Sequence, residues 1–327
     1  MGIARCDNRR KGAIGTRVIE SLMNGAIQAL VDAVGWDEAF RRLQPYFEMN
    51  GRWCLKNFPL FAGTSMAGEV GTVKLVAFSL DMAYRGSRTI STTAEGASIV
   101  QRGCETCGEF TNLCEWFCRR EFATMVREND SGLAIKQIVS MDCGDNFCAW
   151  TIGRTANEGP IAIPGDTPTN YLDDERADYL CRAGCAEHWA NATNALLSLL
   201  GDQRSRALLE RHGRANGEGY GVYILRDPSV ERGPELLRSA IDKVDAELGV
   251  SAKWVTRDGR FERTITECPL ANTPDVCSQV ETFWKGACDV LAPGWDVDYA
   301  CRRSQGEGTC RFVVSKREQL DVLSSQL

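Results

Sequence analysis

The sequence predicts an α+β protein with an internal duplication: two domains, each with helices packed on a mostly antiparallel sheet. Three observations predict it. A long helix, a glycine-containing turn and a shorter helix ending in Asn-Gly occur twice, about 165 residues apart. Cysteines recur in order at nearly the same displacement: 164 positions from Cys104 to Cys268, 163 from Cys114 to Cys277 and 162 from Cys148 to Cys310. Ordered matches with common flanks are the mark of a repeat. Each half then reads as β-like stretches, a helix and a last strand pair, without the alternating strands and crossover helices of a doubly wound dinucleotide fold.

In the first half, Arg17 to Leu30 (RVIESLMNGAIQAL) reads as a helix, Gly35 breaks the run, and VDAVGWDEAFRRLQPYFEMNG continues with apolar positions at three and four residues. GTVKLVAFSLDMA and SRTISTTAEGASIV supply strands, CEWFCRREFATMVREND a helix, and MDCGDNFCAWTI carries a polar turn into an apolar strand. In the second half, Asp178 to Leu200 and GDQRSRALLERHGRANG form the helical pair. YGVYILRD, AKWVTRD and RFERTITEC read as strands, VCSQVETFWKGACDVLAP as a helix, and CRRSQGEGTCRFVV as the closing turn and strand. GRANGEGYG lacks the ordered lysine and Ser/Thr of a phosphate loop and the dinucleotide fingerprint, and so reads as a turn before YGVYIL. The expected boundaries are 1–155 for the first repeat, 156–175 for a linker holding three prolines and an acidic run, and 176–327 for the second.

A chain of 327 residues favours two domains over one. Its formal charge of -6 argues against a partner that needs a broad basic surface, so nucleic acid is not expected. The start lacks an apolar signal region and no later stretch reaches bilayer-spanning length, so neither a membrane nor secretion is expected, and the sequence reads as cytoplasmic. Cys6 stands where a myristoylation signal needs Ser or Thr. Fifteen cysteines, an odd number without a signal peptide, read as intracellular thiols. Most of them are expected to be small core residues. A homodimer is a further expectation.

Two constellations carry chemistry. In CETCGEFTNLCEWFC, Cys114 and Cys118 share one face of a helix, with Cys104 and Cys107 just before it; four soft thiolates so placed suit zinc or an iron-sulfur cluster. The second half keeps Cys268 and Cys277 without matching Cys107 or Cys118, which leaves core packing as the competing reading. In MDCGDNFC, Asp142 and Asp145 flank Cys143 in a turn that can expose a thiol beside a carboxylate. Arg119, Arg120 or Arg127 would have to favour the thiolate. The matching CRRSQGEGTC offers Cys301, Arg302, Arg303 and Glu307, suited to an anion or a polar substrate. Cys181, Cys185 and His188 share a helical face and form a second zinc candidate, beside the simpler reading of a helix core. Trp116, Trp150, Trp284 and Trp295 lie near the cysteine segments, so compact apolar pockets are credible there.

The ends CGDNFCAW and GEGTCRF resemble the small-molecule-binding domains grouped as vinyl-4-reductase-like and L-2-amino-thiazoline-4-carboxylate hydrolase-like, over approximately residues 101–152 and 264–315. The resemblance implies an α/β domain that binds a compact organic molecule, with hydrolase or lyase chemistry at C-N or C-S bonds. On that reading Cys143 or Cys301 is the nucleophile or substrate-contacting thiol. Asp142, Asp145 and Glu307 orient or move protons, Arg302 and Arg303 hold a carboxylate, and Trp150 contacts substrate. Two alternatives use the same residues differently: a noncatalytic small-molecule sensor, and a metal or iron-sulfur redox protein.

Overall fold

A computed structural model describes residues 14–62, 68–83, 87–93, 96–102, 117–140, 145–154, 172–268, 274–301 and 308–317. Within these, the chain is α+β with two four-stranded antiparallel sheets. Helices α1 (Ile14–Val34), α2 (Trp36–Ala62) and α3 (Gly68–Ala83) precede strands β1 (Ser87–Thr93) and β2 (Gly96–Arg102). A π-helical turn (Phe117–Glu121) leads into α4 (Phe122–Asn129), then β3 (Ala134–Val139) and β4 (Cys148–Gly153). Helices α5 (Asp174–Leu200), α6 (Asp202–Ile224) and α7 (Pro234–Leu248) follow, then β5 (Ser251–Arg257), β6 (Arg260–Glu267), α8 (Pro274–Leu291), β7 (Trp295–Cys301) and β8 (Cys310–Lys316). No helix among the described residues is long and apolar enough to cross a membrane.

The sheets have the same strand order, β1-β2-β4-β3 and β5-β6-β8-β7. Their registers also correspond. Ile90 faces Ile99, Ile99 faces Trp150 and Trp150 faces Gln137; Trp254 faces Arg263, Arg263 faces Phe312 and Phe312 faces Tyr299. In each sheet the register shifts just beyond that row, between Gln137 and Val139 in one and between Tyr299 and Cys301 in the other. Such a bulge bends the strand and re-aims the side chains beside it.

Two compact units divide the chain: residues 1–12 with 40–184, and 13–39 with 185–327. Most of the expected linker, 156–175, lies outside the described residues. In the first unit, α3 lies on the sheet and against α4. Its core joins Phe58, Val73, Phe78, Ile99, Phe122, Met125 and Trp150, all nearly inaccessible. In the second, α1 packs on α6 and α7, and the longest helix contact runs between α6 and α8. Buried Gln279 of α8 ties three helices: its Oε1 accepts from Trp189 Nε1 on α5 at 2.6 Å, and its Nε2 donates to the Leu22 carbonyl on α1 at 2.9 Å.

The expected glycine turns are there: Gly35 and Gly201 take φ of 79° and 72° between consecutive helices, the left-handed region that glycine enters without penalty. Four expectations are corrected. GTVKLVAFSLDMA is not a strand but lies in α3, whose Val73, Leu75, Val76, Ala77, Phe78 and Leu80 are all buried; a helix covered all round loses the 3.6-residue alternation by which it is recognised. YGVYIL is not a strand, and GRANGEGYG is not a turn; both belong to α6. The two Asn-Gly pairs do not end helices but lie within α2 and α6.

The reason is packing. Gly213, Gly217 and Gly221 recur at four-residue spacing and form the face of α6 that meets α8. A Cβ on Gly217 would collide with the Phe283 carbonyl, and one on Gly213 would come within 2.7 Å of the Gln279 carbonyl. Tertiary contact here overrides the low helix propensity of glycine. Gly219, exposed on the same helix, has open space around it. Chemical denaturation is therefore expected to show Gly217→Ala destabilised by about 1–3 kcal/mol through overpacking. Gly219→Ala should be stabilised by about 0.5–1 kcal/mol through propensity alone.

Candidate functional site

The first unit holds a cavity of about 350 Å³ lined by Arg119 of the π-turn, Phe122 of α4, Ile135, Lys136 and Gln137 of β3, and Trp150 of β4. Phe122 and Trp150 are buried, Arg119 is exposed and the β3 residues are half-buried, so the apolar side is the closed one. The Phe122 and Trp150 rings meet edge to face, centroids 5.6 Å apart at 77°. Two cationic side chains at the open side favour an anion there.

A hydrogen-bond chain stiffens this rim. Arg119 Nε donates to Gln137 Oε1 at 3.2 Å, and Gln137 Nε2 donates to Ser140 Oγ at 2.8 Å. The Ser140 N–H donates to Asp145 Oδ2 at 3.2 Å. Trp150 differs: it is 2% exposed and its Nε1–H has no hydrogen-bond partner among the described residues. A buried donor without an acceptor costs about 1–3 kcal/mol.

Behind the π-turn sits a buried carboxyl. Glu121 Oε1 accepts from Ser79 Oγ of α3 and, at 3.9 Å, from Cys54 Sγ of α2; Oε2 accepts from Asn50 Nδ2 of α2 at 2.7 Å. Burial pushes the Glu121 carboxyl up to about 7, outweighing the hydrogen bonds from Ser79, Asn50 and Cys54 that pull it down. Burial, with the neighbouring Glu121 charge, also drives the Cys54 thiol well above its ordinary range, so it is an inert packing group. Gly51 lets α2 close on this segment, since a Cβ there would come within 2.9 Å of the Glu121 carbonyl oxygen. Because Arg119 and Phe122 stand on either side of Glu121, the residues that line the cavity and the residue that is buried behind it share a single helical turn of backbone. The described part of CEWFCRREFATMVREND begins with a π-turn over Phe117–Glu121, a form that concentrates at functional sites.

The expected residues fall as follows. Trp150 lines the cavity. Asp145 is exposed and closes the polar turn after β3, its N–H also donating to the Ser140 carbonyl at 3.4 Å. Cys301 ends β7 opposite Arg311, and Cys118 lies in the π-turn; their side chains are outside the description. Asp142, Cys143, Arg302, Arg303, Glu307, Cys104, Cys107 and Cys114 all lie outside the described residues. Of the second zinc candidate, Cys181 and Cys185 stand one turn apart on α5, and Glu20 of α1 brings a carboxylate oxygen within 4.8 Å of Cys185 Sγ. His188 is buried, and desolvation lowers it to about 4, which keeps the ring neutral.

Glu121, Lys136 and Gln137 were not singled out from the sequence. Glu121 had a readable signal: it stands four residues before Met125 on the apolar face of its helix, where a carboxylate is out of place unless it is partnered. The cavity rim had none, because strand register decides which β3 residues meet Trp150.

No family model matches this chain, and no curated protein matches it.

The Glu121 carboxyl makes stability fall as pH rises. Unfolded, it loses its proton near 4.5, while folded it keeps the proton to about 7. Between those values only the native state binds the proton, so the protonation-linked stability is full below about 4.5 and lost by about 7. Glu121→Gln should remove this dependence. Denaturation at pH 5 and pH 8 is expected to show the variant gaining on the parent at the higher pH by up to about 3 kcal/mol.

Proposed function

We propose that the first unit binds a compact, polar, anionic organic molecule in the cavity bounded by Arg119, Lys136, Gln137, Phe122 and Trp150, and that the protein acts through that binding as a small-molecule sensor. The observation that carries this reading is the cavity, which joins a closed aromatic side to a cationic rim. Its volume, about 350 Å³, lies at the small end of the range for ligand sites. The chain Arg119–Gln137–Ser140–Asp145 supports it further, because it holds the rim in place before a ligand arrives.

Hydrolase or lyase chemistry would be built on the same binding. Cys143 lies in the segment between Ser140 and Asp145, the last two members of the chain that reaches Gln137. We further infer that the two units descend from one duplicated ancestor. Equal strand order, equal register and bulges at matching places support that inference.

Calorimetric titration of the full chain with a panel of compact carboxylates tests the reading. At least one should bind saturably, and Arg119→Ala should weaken it about ten-fold or more, the cost of one charge-assisted hydrogen bond. Equal affinity in the parent and Arg119→Ala would sink the proposal. Turnover of a bound carboxylate that vanishes in Cys143→Ser would move the reading from sensor to enzyme.

A further inference from the structure

Two helices bring sulfur and oxygen ligands to one place. Cys181 and Cys185 are four residues apart in α5, so both thiols leave the same face of that helix. Their sulfurs lie within 4.8 Å of each other. Glu20 of α1 brings a carboxylate oxygen within the same 4.8 Å of Cys185 Sγ. Glu20 and Cys185 belong to the second unit, and the unbroken helix α5 carries Cys181 one turn before Cys185. Among the described residues this is the one group of three Cys, His, Asp or Glu side chains gathered so closely.

Helices hold metal ions in this way, with two ligands at i and i+4 of one helix and a further one from a neighbour. Thiolate sulfur and carboxylate oxygen are both zinc ligands, and a pair of thiolates favours zinc over the hard cations magnesium and calcium. The contrast with the thiol-carboxyl contact of the first unit is in access. Cys54 is fully buried beside Glu121, where Ser79 and Asn50 donate to the same carboxyl. Glu20 and Cys185 are half-buried and Cys181 is buried, so this group is anchored on one side and open to solvent on the other. Small volume explains a buried cysteine, but not a carboxylate placed against one.

We propose that Cys181, Cys185 and Glu20 bind a zinc ion, with water in the fourth position. His188 shares the face of the two cysteines, but neither of its ring nitrogens lies within 4.8 Å of all three ligand atoms. Three protein ligands leave one tetrahedral position to water or to a molecule from solution, as in zinc sites that do chemistry. Each thiol binds as thiolate, so one zinc ion displaces two protons to solvent. The ion needs no residue of the cavity in the first unit.

Zinc(II) titrated into the reduced full chain, in competition with a chromophoric chelator, tests the site. The parent should bind zinc, and Cys185→Ser and Glu20→Gln should each weaken that binding about 10- to 100-fold or more. Losing merely a hydrogen-bond partner of a metal ligand already costs that much. Cobalt(II) in place of zinc gives a second readout. Its thiolate charge-transfer absorption in the near ultraviolet should weaken in Cys185→Ser; in Glu20→Gln the band should stay while the titration midpoint moves to higher cobalt. Glu20→Gln keeps the size of the side chain, so it tests the site even where a cysteine variant fails to fold. A parent that binds no zinc, or binding unchanged in both variants, would overturn the site. Binding lost in Cys114→Ser but kept in Cys185→Ser would overturn it too, because the ion would then sit in the other cysteine segment.

Discussion

Each unit depends on close approaches of backbone to backbone that glycine permits. Gly51 of α2 lies against the carbonyl of Glu121, and Gly217 of α6 lies against the carbonyl of Phe283. Neither position has room for a Cβ without displacing main chain, and main chain in a helix cannot step aside as a flexible side chain can. The second helix of each half is thereby held on the helical segment that leads into the last strand pair. That segment, in turn, sets where its side chains meet the sheet. In the first unit these are Arg119 and Phe122 on the cavity, with Glu121 turned to Asn50, Cys54 and Ser79.

The same residues that enforce this approach hid it in the sequence. Asn-Gly is a strong turn signal, and both Asn50-Gly51 and Asn216-Gly217 were expected to end helices. Inside a helix each does two jobs at once: the glycine admits the neighbouring backbone, and the asparagine reaches across it. Asn50 donates to Glu121, and Asn216 donates to the Ser21 carbonyl of α1. What periodicity alone could read was therefore correct where the packing is one-sided. The turns at Gly35 and Gly201, the strands of SRTISTTAEGASIV and RFERTITEC, and the helix VCSQVETFWKGACDVLAP fall as expected. Where a helix is covered all round, as α3 is, or reaches its neighbour through glycine, as α6 does, the local signal points the wrong way. Helix α7 was not singled out at all, although Pro234 opens it and Gly249, in the left-handed conformation, closes it.

Of the residues that line the cavity, the sequence singled out Trp150 as a substrate contact and Arg119 as a charge beside a thiol. Trp150 was expected to contact substrate because it follows Cys148 in an apolar strand, and it lines the cavity. The polar partners could not be read, since they come from β3 through a register with a bulge, and a one-residue slip would have presented a different set. The thiols expected to form the catalytic centre or the four-cysteine cluster lie outside the described side chains, and those described are different ones. Cys54, Cys148, Cys181, Cys288 and Cys310 are buried, and burial holds the Cys54 and Cys288 thiols protonated, Cys288 at about 12. In so cysteine-rich a chain, abundance reports mostly on the small volume and apolarity of the side chain.

The two units differ in their buried polar groups along the matching row of the sheet. The second buries a charge, Arg263: Asp245 pairs with it, two aromatic faces flank it and Tyr299 completes the row, while its Nε has no hydrogen-bond partner among the described residues. Desolvation lowers that guanidinium only to about 10, so it stays charged at neutral pH. The first unit has Ile99 in the place of Arg263 and Gln137 in the place of Tyr299, which removes the charge and the ring together. What stays is a buried indole donor without an acceptor among the described residues and a carboxyl that burial keeps near the point of ionising. Each carries a desolvation cost in the fold it sits in. Departures of this kind from an otherwise consistent structure are where binding sites are found.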